Sequence, residues 1–201
     1  HVRHCLGGRK MKKGKKTWIA ALLCMLSMTL ICGLLYPLVM TVSASLLFPE
    51  QANGSQLTVT RNGKTQNVGS ALIGQSWTKP EYLIGRPNSG APTNRSAVSD
   101  EQQQAVADSV AWWHAFDPQT RGKDIPEDLV TASGSGVDPE ISPQAAYFQV
   151  ERIARVRKIS QQSVRKIIDK YTTGKTFGFL GEERVNVLKV NLELDGYTIS
   201  E

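Results

Sequence analysis

The stretch that decides the fold is TWIAALLCMLSMTLICGLLYPLVMTV, residues 17–42, which contains no charged residue. An α-helix rises about 1.5 Å per residue, so about 20 apolar residues cross the roughly 30 Å of bilayer hydrocarbon. A cleaved signal peptide is the alternative, because Val42-Ser43-Ala44 resembles a cleavage site. The apolar segment of a signal peptide is, however, only about 7–15 residues long. We therefore predict a retained transmembrane helix over residues 17–42.

The basic residues indicate how this helix is oriented. Seven of the 24 Lys and Arg residues lie within residues 1–16, and no acidic residue does. Positive charge that directly precedes a membrane helix favours the cytoplasmic side. The sequence therefore predicts a basic cytoplasmic tail over residues 1–16, a single crossing of the lipid bilayer, and an extracytoplasmic domain over residues 43–201.

The rest of the composition excludes several classes of function. Outside the tail the chain has 17 basic residues and all 18 of its acidic residues, so these charges nearly balance. The domain therefore offers no basic surface for nucleic acid. All three cysteines precede residue 33, and His114 is the one histidine of the domain. This distribution excludes a disulfide scaffold and a cysteine-ligated metal site in the domain. Any metal or general-base chemistry of the domain that relies on imidazole would have to use His114.

Three residues in the second half of the apolar helix favour a contact with another membrane helix. Gly33 lets a second backbone approach closely, and Pro37 removes a hydrogen bond, a loss that neighbouring helices repair in membranes. Tyr36 is of the type found at the membrane–water interface. The alternative is that Gly and Pro are simply commoner in membrane helices. We predict a partner-binding surface at Gly33, Tyr36 and Pro37.

The strand signals of the domain lie near its two ends. A β-hairpin is predicted over residues 57–60 and 65–68, because Asn62-Gly63 between them is a strong turn signal. Residues 70–75 suggest a further short strand. At the other end, residues 188–194 alternate strictly between apolar and polar side chains, which predicts a half-buried strand.

The helix signals lie between these strands. Three helices are predicted to begin at N-capping serines, Ser99, Ser142 and Ser160. In the second helix we expect the apolar stripe to be buried and the basic run to be a solvated face, the latter comprising Arg152, Arg155 and Arg157. Strands at both ends with helices between them predict an α+β fold class.

A loop rich in serine and glycine, TASGSGVDP at residues 131–139, is the second candidate site. Its glycines allow positive φ, and its amides and hydroxyls could bind an anion or the backbone of a partner. A plain connecting loop is the alternative. The spacing is neither that of a P-loop nor that of a Gly-x-Ser-x-Gly nucleophile elbow. The candidate partner-binding residues here are Ser133, Gly134, Ser135, Gly136 and Asp138.

This loop, read with both flanks as VTASGSGVDPEISP, resembles the signature of the family of C subunits of the Kdp potassium-transporting P-type ATPase. Further stretches resemble that family in the same order, namely residues 33–38, 48–55, 69–75, 86–87, 125–129 and 179–188. One departure is Glu140, because the family usually has histidine at that position. A second is the stretch after Arg86-Pro87, which is shorter than usual.

The resemblance implies an accessory role in a bacterial cell membrane. It implies partnership with a potassium-conducting subunit and an ATP-hydrolysing subunit, so that ATP and potassium are handled by the complex. It further implies help with assembly and a chaperone-like effect that raises the ATP affinity of the hydrolysing subunit. The chain itself carries no Asp-Lys-Thr-Gly-Thr phosphorylation motif and no Walker sequence. In keeping with the accessory role that the resemblance implies, we predict no catalytic residue, no metal site and no cofactor of the chain's own.

Two other classes of function share the layout of one helix and an exported domain. The first is a membrane-anchored Ser/Lys hydrolase, which would need Ser133 or Ser135 beside a desolvated lysine such as Lys123. The second is a free-standing sensor ectodomain. No spacing in the sequence argues for either.

Overall fold

The computed structural model describes residues 10–61, 64–197 and 199–200. The chain divides into two compact units between Asn53 and Gly54. The first unit is helical, and the second combines helices with two three-stranded sheets. An apolar N-terminal helix followed by an α+β domain is the predicted fold class, which is thereby confirmed.

The N-terminal unit is one long helix with an interruption. It consists of α1 (Lys10–Leu30), a π-helical turn (Ile31–Leu35) and α2 (Tyr36–Leu47), and a short α3 (Pro49–Ala52) follows. The stretch Gly14–Leu47 is long and apolar enough to cross a membrane. Its large apolar side chains are exposed throughout. Within the unit, therefore, nothing covers the apolar surface of this helix.

The strands of the second unit form two antiparallel sheets. In the first sheet the order is β2 (Lys64–Ser70), β1 (Gln56–Arg61) and β6 (Ile199–Ser200). In the second it is β3 (Glu140–Ile141), β5 (Arg184–Asn186) and β4 (Thr172–Thr173). The predicted hairpin is confirmed, with Val59 opposite Gln66. Its predicted turn at Asn62-Gly63 lies outside the described residues.

Two of the predicted strands are wrong. Ser70 ends β2, and residues 71–73 turn instead of continuing as a strand. The alternating stretch 188–194 belongs to a helix, α8 (Val187–Leu194), whose first turn is capped by the Asn186 side chain. The residues buried along α8 include Val187, Val190 and Asn191, which follow the helical spacing of three to four residues.

The other α-helices are α4 (Asp100–Phe116), α5 (Pro143–Phe148), α6 (Val150–Arg157) and α7 (Gln161–Lys170). Of these, α4, α5 and α7 begin where the sequence predicts. The hydroxyl of each capping serine accepts an amide of the first turn, at 3.3 Å for Ser99, 3.3 Å for Ser142 and 3.0 Å for Ser160. The helix that begins after Ser142 is broken at Gln149 into α5 and α6.

The prediction that the arginines of α6 form a solvated face is wrong for two of the three. Arg152 is 1% exposed, and burial lowers the pKa of its guanidinium to about 10, so it stays charged at neutral pH. Arg157 donates to the carbonyls of Glu81 and Leu194 and pairs with Asp195. Arg155 is the outward-facing one, and it pairs with the buried Asp117 at 3.0 Å.

Three buried polar side chains, those of Gln149, Arg152 and Asn191, hold an irregular segment, residues 80–84, against the core. Gln149 bonds both backbone groups of Ile84, at 2.9 Å each. Asn191 does the same for Leu83, at 2.7 and 2.9 Å, and Arg152 donates to the carbonyls of Pro80 and Tyr82. The segment therefore satisfies its backbone with side chains, as a buried backbone must when no strand lies beside it.

The Tyr82 hydroxyl adds a further contact to this segment. It donates to Asp195 Oδ2 at 2.9 Å, and the Arg157 guanidinium lies 5.2 Å from the centre of its ring. Burial, followed by the hydrogen bond to Asp195, raises the pKa of Tyr82 above its usual value of 10.0. The phenol is therefore held in its protonated, donating form.

Candidate functional site

The membrane helix presents Gly33 without any obstruction from its own chain. A Cβ atom added at Gly33 would meet only the Thr29 side chain, at 3.9 Å. Ordinary side chains would thus fit as far as this chain is concerned. Lack of space within the chain is therefore not what requires a glycine at this position.

The interruption of the helix coincides with Pro37. Gly33 lies inside the π-helical turn, and the Tyr36 amide donates to the carbonyl of Ile31, five residues earlier. A proline clashes with the carbonyl four residues before it in a regular α-helix, which here is that of Gly33. A wider π turn is one way to accommodate such a site, and π turns are frequent at functional positions. Tyr36, at the end of the turn, is 62% exposed.

The serine-glycine loop is held together by its own hydroxyls. Ser133 Oγ accepts from the amides of Gly136 at 3.0 Å and Asp138 at 3.4 Å, and Ser135 Oγ accepts from the amide of Val137 at 3.3 Å. The two serine hydroxyls lie 3.3 Å apart. Three loop amides that the sequence offered for ligand binding are therefore engaged within the loop. Gly134 and Ser135 are exposed at its tip.

Two glycines allow neighbouring loops to pack tightly on this one. Gly136 has φ +73°, and a Cβ there would lie 2.1 Å from the Ala91 carbonyl oxygen. A Cβ at Gly74 would lie 2.5 Å from the Asp138 carbonyl oxygen. The Gly74 amide donates to the Val137 carbonyl at 2.7 Å. The stretches around residues 74, 86–91 and 133–139 thus form one cluster, which we call the three-loop cluster.

An arginine between two carboxylates ties the three-loop cluster to the helical core. Arg86 pairs with Asp128 and lies 3.5 Å from Asp138 Oδ2. Asp128 Oδ2 in turn accepts the Ser142 amide, just before α5, at 2.7 Å. Asp138 Oδ1 accepts the amide of Glu140 at 2.9 Å. Because Asp138 is bound on both sides, its role in the structure is to fix the loop.

The geometry around the serines offers no activated nucleophile. A Ser/Lys hydrolase needs a lysine beside the serine hydroxyl, whereas Lys123 pairs with Glu151 at 3.4 Å. The hydrogen-bond partners of Ser133 and Ser135 are each other and loop amides. Among the described residues, no group of three or more His, Cys, Asp or Glu side chains could hold a metal ion.

The structure brings some of the candidate residues together and leaves others apart. Ser133, Gly134, Ser135, Gly136 and Asp138 lie in the three-loop cluster, whereas Gly33, Tyr36 and Pro37 lie in the separate N-terminal unit. The residues missed as members of this site are Gly74, Arg86 and Asp128. All three belong to stretches that carry the family resemblance, so their order along the chain was visible but their convergence was not.

Comparisons with known proteins agree on one family. A family model described as "KdpC: K+-transporting ATPase, c chain" matches residues 18–196. A potassium-transporting ATPase KdpC subunit of Listeria monocytogenes serotype 4a (strain HCC23) is 52% identical over 187 residues, covering 92% of this chain and 98% of the relative. Proteins of the same description from Janthinobacterium sp. (strain Marseille) and Clostridium botulinum (strain Eklund 17B / Type B) are 44% and 43% identical. These two alignments cover 90% and 92% of this chain and 98% of each relative.

Proposed function

The chain belongs to the KdpC family of K+-transporting ATPase subunits, and on that premise we propose that it promotes assembly of the transport complex and raises the ATP affinity of the hydrolysing subunit in a chaperone-like way. It is an accessory subunit and not the catalytic one. In this proposal ATP and potassium are bound by the other subunits. Its partners are the potassium-conducting subunit and the ATP-hydrolysing subunit.

The observation that carries the assembly role is the uncovered membrane helix with Gly33 inside a π-helical turn. The chain itself leaves open space at Gly33, and the adjoining side chains Leu34, Leu35 and Tyr36 are all more than half exposed. Van der Waals packing through small residues is the main attraction between helices in lipid. We place the contact with the potassium-conducting subunit at Gly33, Tyr36 and Pro37.

Replacing the glycine tests this contact. A Gly33→Leu variant should insert normally, since its own helix has room, yet co-purify poorly with the other subunits, and cells should grow poorly at low external potassium. Gly14→Leu is the matched control, because Gly14 is equally open but lies at the other end of the apolar stretch. Pro37→Ala should be milder, since it restores a backbone donor. Normal assembly and growth with Gly33→Leu would exclude this site as the contact.

The orientation of the chain is part of the proposal. The lysines before the helix favour a cytoplasmic N-terminus and an extracytoplasmic domain. Protease added to intact spheroplasts should then remove the domain after residue 53. Protection of the domain in intact spheroplasts, with cleavage only after lysis, would reverse the orientation.

An extracytoplasmic domain lies away from cytoplasmic ATP, so we place its effect on ATP affinity in the assembled complex and not in direct nucleotide contact. The engaged hydroxyls and amides of the three-loop cluster agree with this placement. The exposed Gly134 and Ser135 are available to a partner at the tip of a loop whose hydroxyls and amides bond each other. In this proposal the domain lies outside and covers the potassium entrance.

A further inference from the structure

The loop at residues 175–181 carries large apolar side chains on the outside of the domain, and we call it the aromatic tip. Phe177 is 84% exposed, Phe179 is 73% exposed and Leu180 is 51% exposed. Every residue from position 173 to position 184 is exposed. Single exposed apolar residues are normal on a protein surface, but a cluster of this kind marks a surface that is covered by something else.

The backbone of the aromatic tip is closed on itself. Thr176 and Leu180 exchange two hydrogen bonds of 2.8 and 2.9 Å, and the Gly178 amide donates to the Lys175 carbonyl at 3.0 Å. The Phe179 amide donates to the Thr176 carbonyl at 3.3 Å. Backbone donors must be satisfied internally before a loop can approach hydrocarbon, where water is not available. These amides can therefore be buried without the loss of a hydrogen bond.

The conformation of Phe177 adds a second observation. Its φ is +54°, a region that bulky residues rarely adopt and that costs about 1–3 kcal/mol. The side chain is almost fully exposed, so no packing within the domain compensates this cost. The strained turn keeps the aromatic ring in a protruding position, where an environment outside the chain can bury it.

The short connection of the domain to the membrane helix points to that environment, and the charges of the tip agree with it. Lys175 and Arg184 balance Glu182 and Glu183, so the tip and its flank carry no net charge to attract anionic groups. Only residues 48–53 separate the helix end from the domain, and α3 (Pro49–Ala52) occupies four of them, so the connection between the membrane helix and the domain is short. We propose that the aromatic tip inserts its apolar side chains into the interfacial region of the same bilayer that anchors the chain.

Phenylalanine and leucine are the side chains that enter the headgroup–acyl boundary, and binding strength there scales with buried apolar area. Lys175 can keep its ammonium in water while its stem follows the apolar surface. This inference rests on the membrane location and on no particular protein partner, so it can fail or hold independently of the proposed contact between subunits at Gly33.

The test uses the full chain in phosphatidylcholine vesicles that contain lipids brominated near the glycerol. Trp18→Phe removes the indole expected in the membrane, and Phe179→Trp then adds a reporter at the tip. Val98→Trp in the same background is the matched control, because Val98 is 82% exposed on another loop. We expect brominated lipid to quench the tip reporter several-fold more than the control reporter. Added salt should leave the quenching unchanged.

A second substitution tests whether apolar burial is responsible. Adding Phe177→Asp to the tip-reporter chain should abolish the excess quenching without lowering the melting temperature, since the side chain contacts solvent and aspartate adopts a positive φ more readily than phenylalanine. Quenching of the tip reporter that equals the control would overturn the proposal. So would a tip reporter that is shielded only when the other subunits are reconstituted with the chain, because the tip would then contact protein.

Discussion

Replacing Gln149 with methionine should reveal how strongly the domain depends on side chains that satisfy its backbone. Gln149 is 1% exposed, and it bonds both the amide and the carbonyl of Ile84. Methionine keeps the length and most of the volume of the side chain. It cannot donate a hydrogen bond, and it accepts one only weakly compared with the glutamine amide. The substitution therefore leaves two buried backbone groups without partners while changing the packing little.

The expected magnitude follows from those two groups. An unpaired buried polar group costs about 1–3 kcal/mol, so the free energy of unfolding should fall by about 4 kcal/mol. For a domain of about 150 residues, 1 kcal/mol corresponds to roughly 2–4 °C in melting temperature. Gln149→Met should therefore melt about 8–16 °C below the parent. The lost contact with Arg152 adds to this effect.

Tryptophan fluorescence is the suitable assay, because three of the four tryptophans, Trp77, Trp112 and Trp113, lie in the domain. Gln103→Met is the matched control, since Gln103 is exposed on α4, and exposed substitutions usually change stability by about 0.5 kcal/mol or less. A Gln149→Met variant that melts within about 2 °C of this control would mean that the Ile84 backbone does not need the amide, and the reasoning would be refuted.

Two further predictions concern a glycine and a tyrosine. Gly136→Ala should strongly destabilise the domain, because the added Cβ would lie 2.1 Å from the Ala91 carbonyl oxygen and alanine disfavours positive φ. Gly134→Ala is the control and should melt like the parent, since a Cβ there has nothing within 4 Å. Equal melting temperatures of the two variants would contradict the close packing at Gly136. The raised pKa of Tyr82 predicts that the folded state holds the phenol proton more tightly than the unfolded state, so this contribution is complete below pH 10.0 and is lost as pH rises through the folded-state pKa. Tyr82→Phe should reduce the loss of stability between neutral pH and pH 11 in thermal melts, and an unchanged alkaline loss would argue against it.

Local signals in the sequence predict the helix starts well. Ser99, Ser142 and Ser160 each cap the helix that follows, because a cap depends on residues only two or three positions away. The apolar helix is equally easy to predict, because the prediction depends only on its length and its lack of charged residues. These features need no knowledge of which segments meet in the folded chain.

The features that sequence reasoning missed depend on contacts between distant segments. Residues 188–194 alternate like a strand, but burial of Asn191 against Leu83, more than a hundred positions away, selects the helix. The burial of Arg152 likewise depends on the carbonyls of Pro80 and Tyr82. A basic residue with backbone carbonyls for partners looks, in the sequence, the same as one in solvent.

The three-loop cluster was predicted in part. The serine-glycine loop was singled out by its composition, whereas Gly74, Arg86 and Asp128 were not, because nothing local distinguishes a glycine or a charge that packs against another loop. Glu140 shows how a departure from the usual pattern is absorbed. It pairs with Arg184 at 2.9 Å on the neighbouring strand, so this position serves as an ion-pair partner without an imidazole.

The π-helical turn at Ile31–Leu35 also changes which residues of the membrane helix lie on the same face. One extra residue in a turn rotates everything beyond it by about 100° relative to a continuous helix of 3.6 residues per turn. A ridge of side chains that runs up α1 therefore does not continue up α2 at the same spacing. The two halves of the helix face different directions, and a single crossing can present one side to one neighbour and another side to a second. Cross-linking positions chosen with an unbroken period of 3.6 would miss that second side.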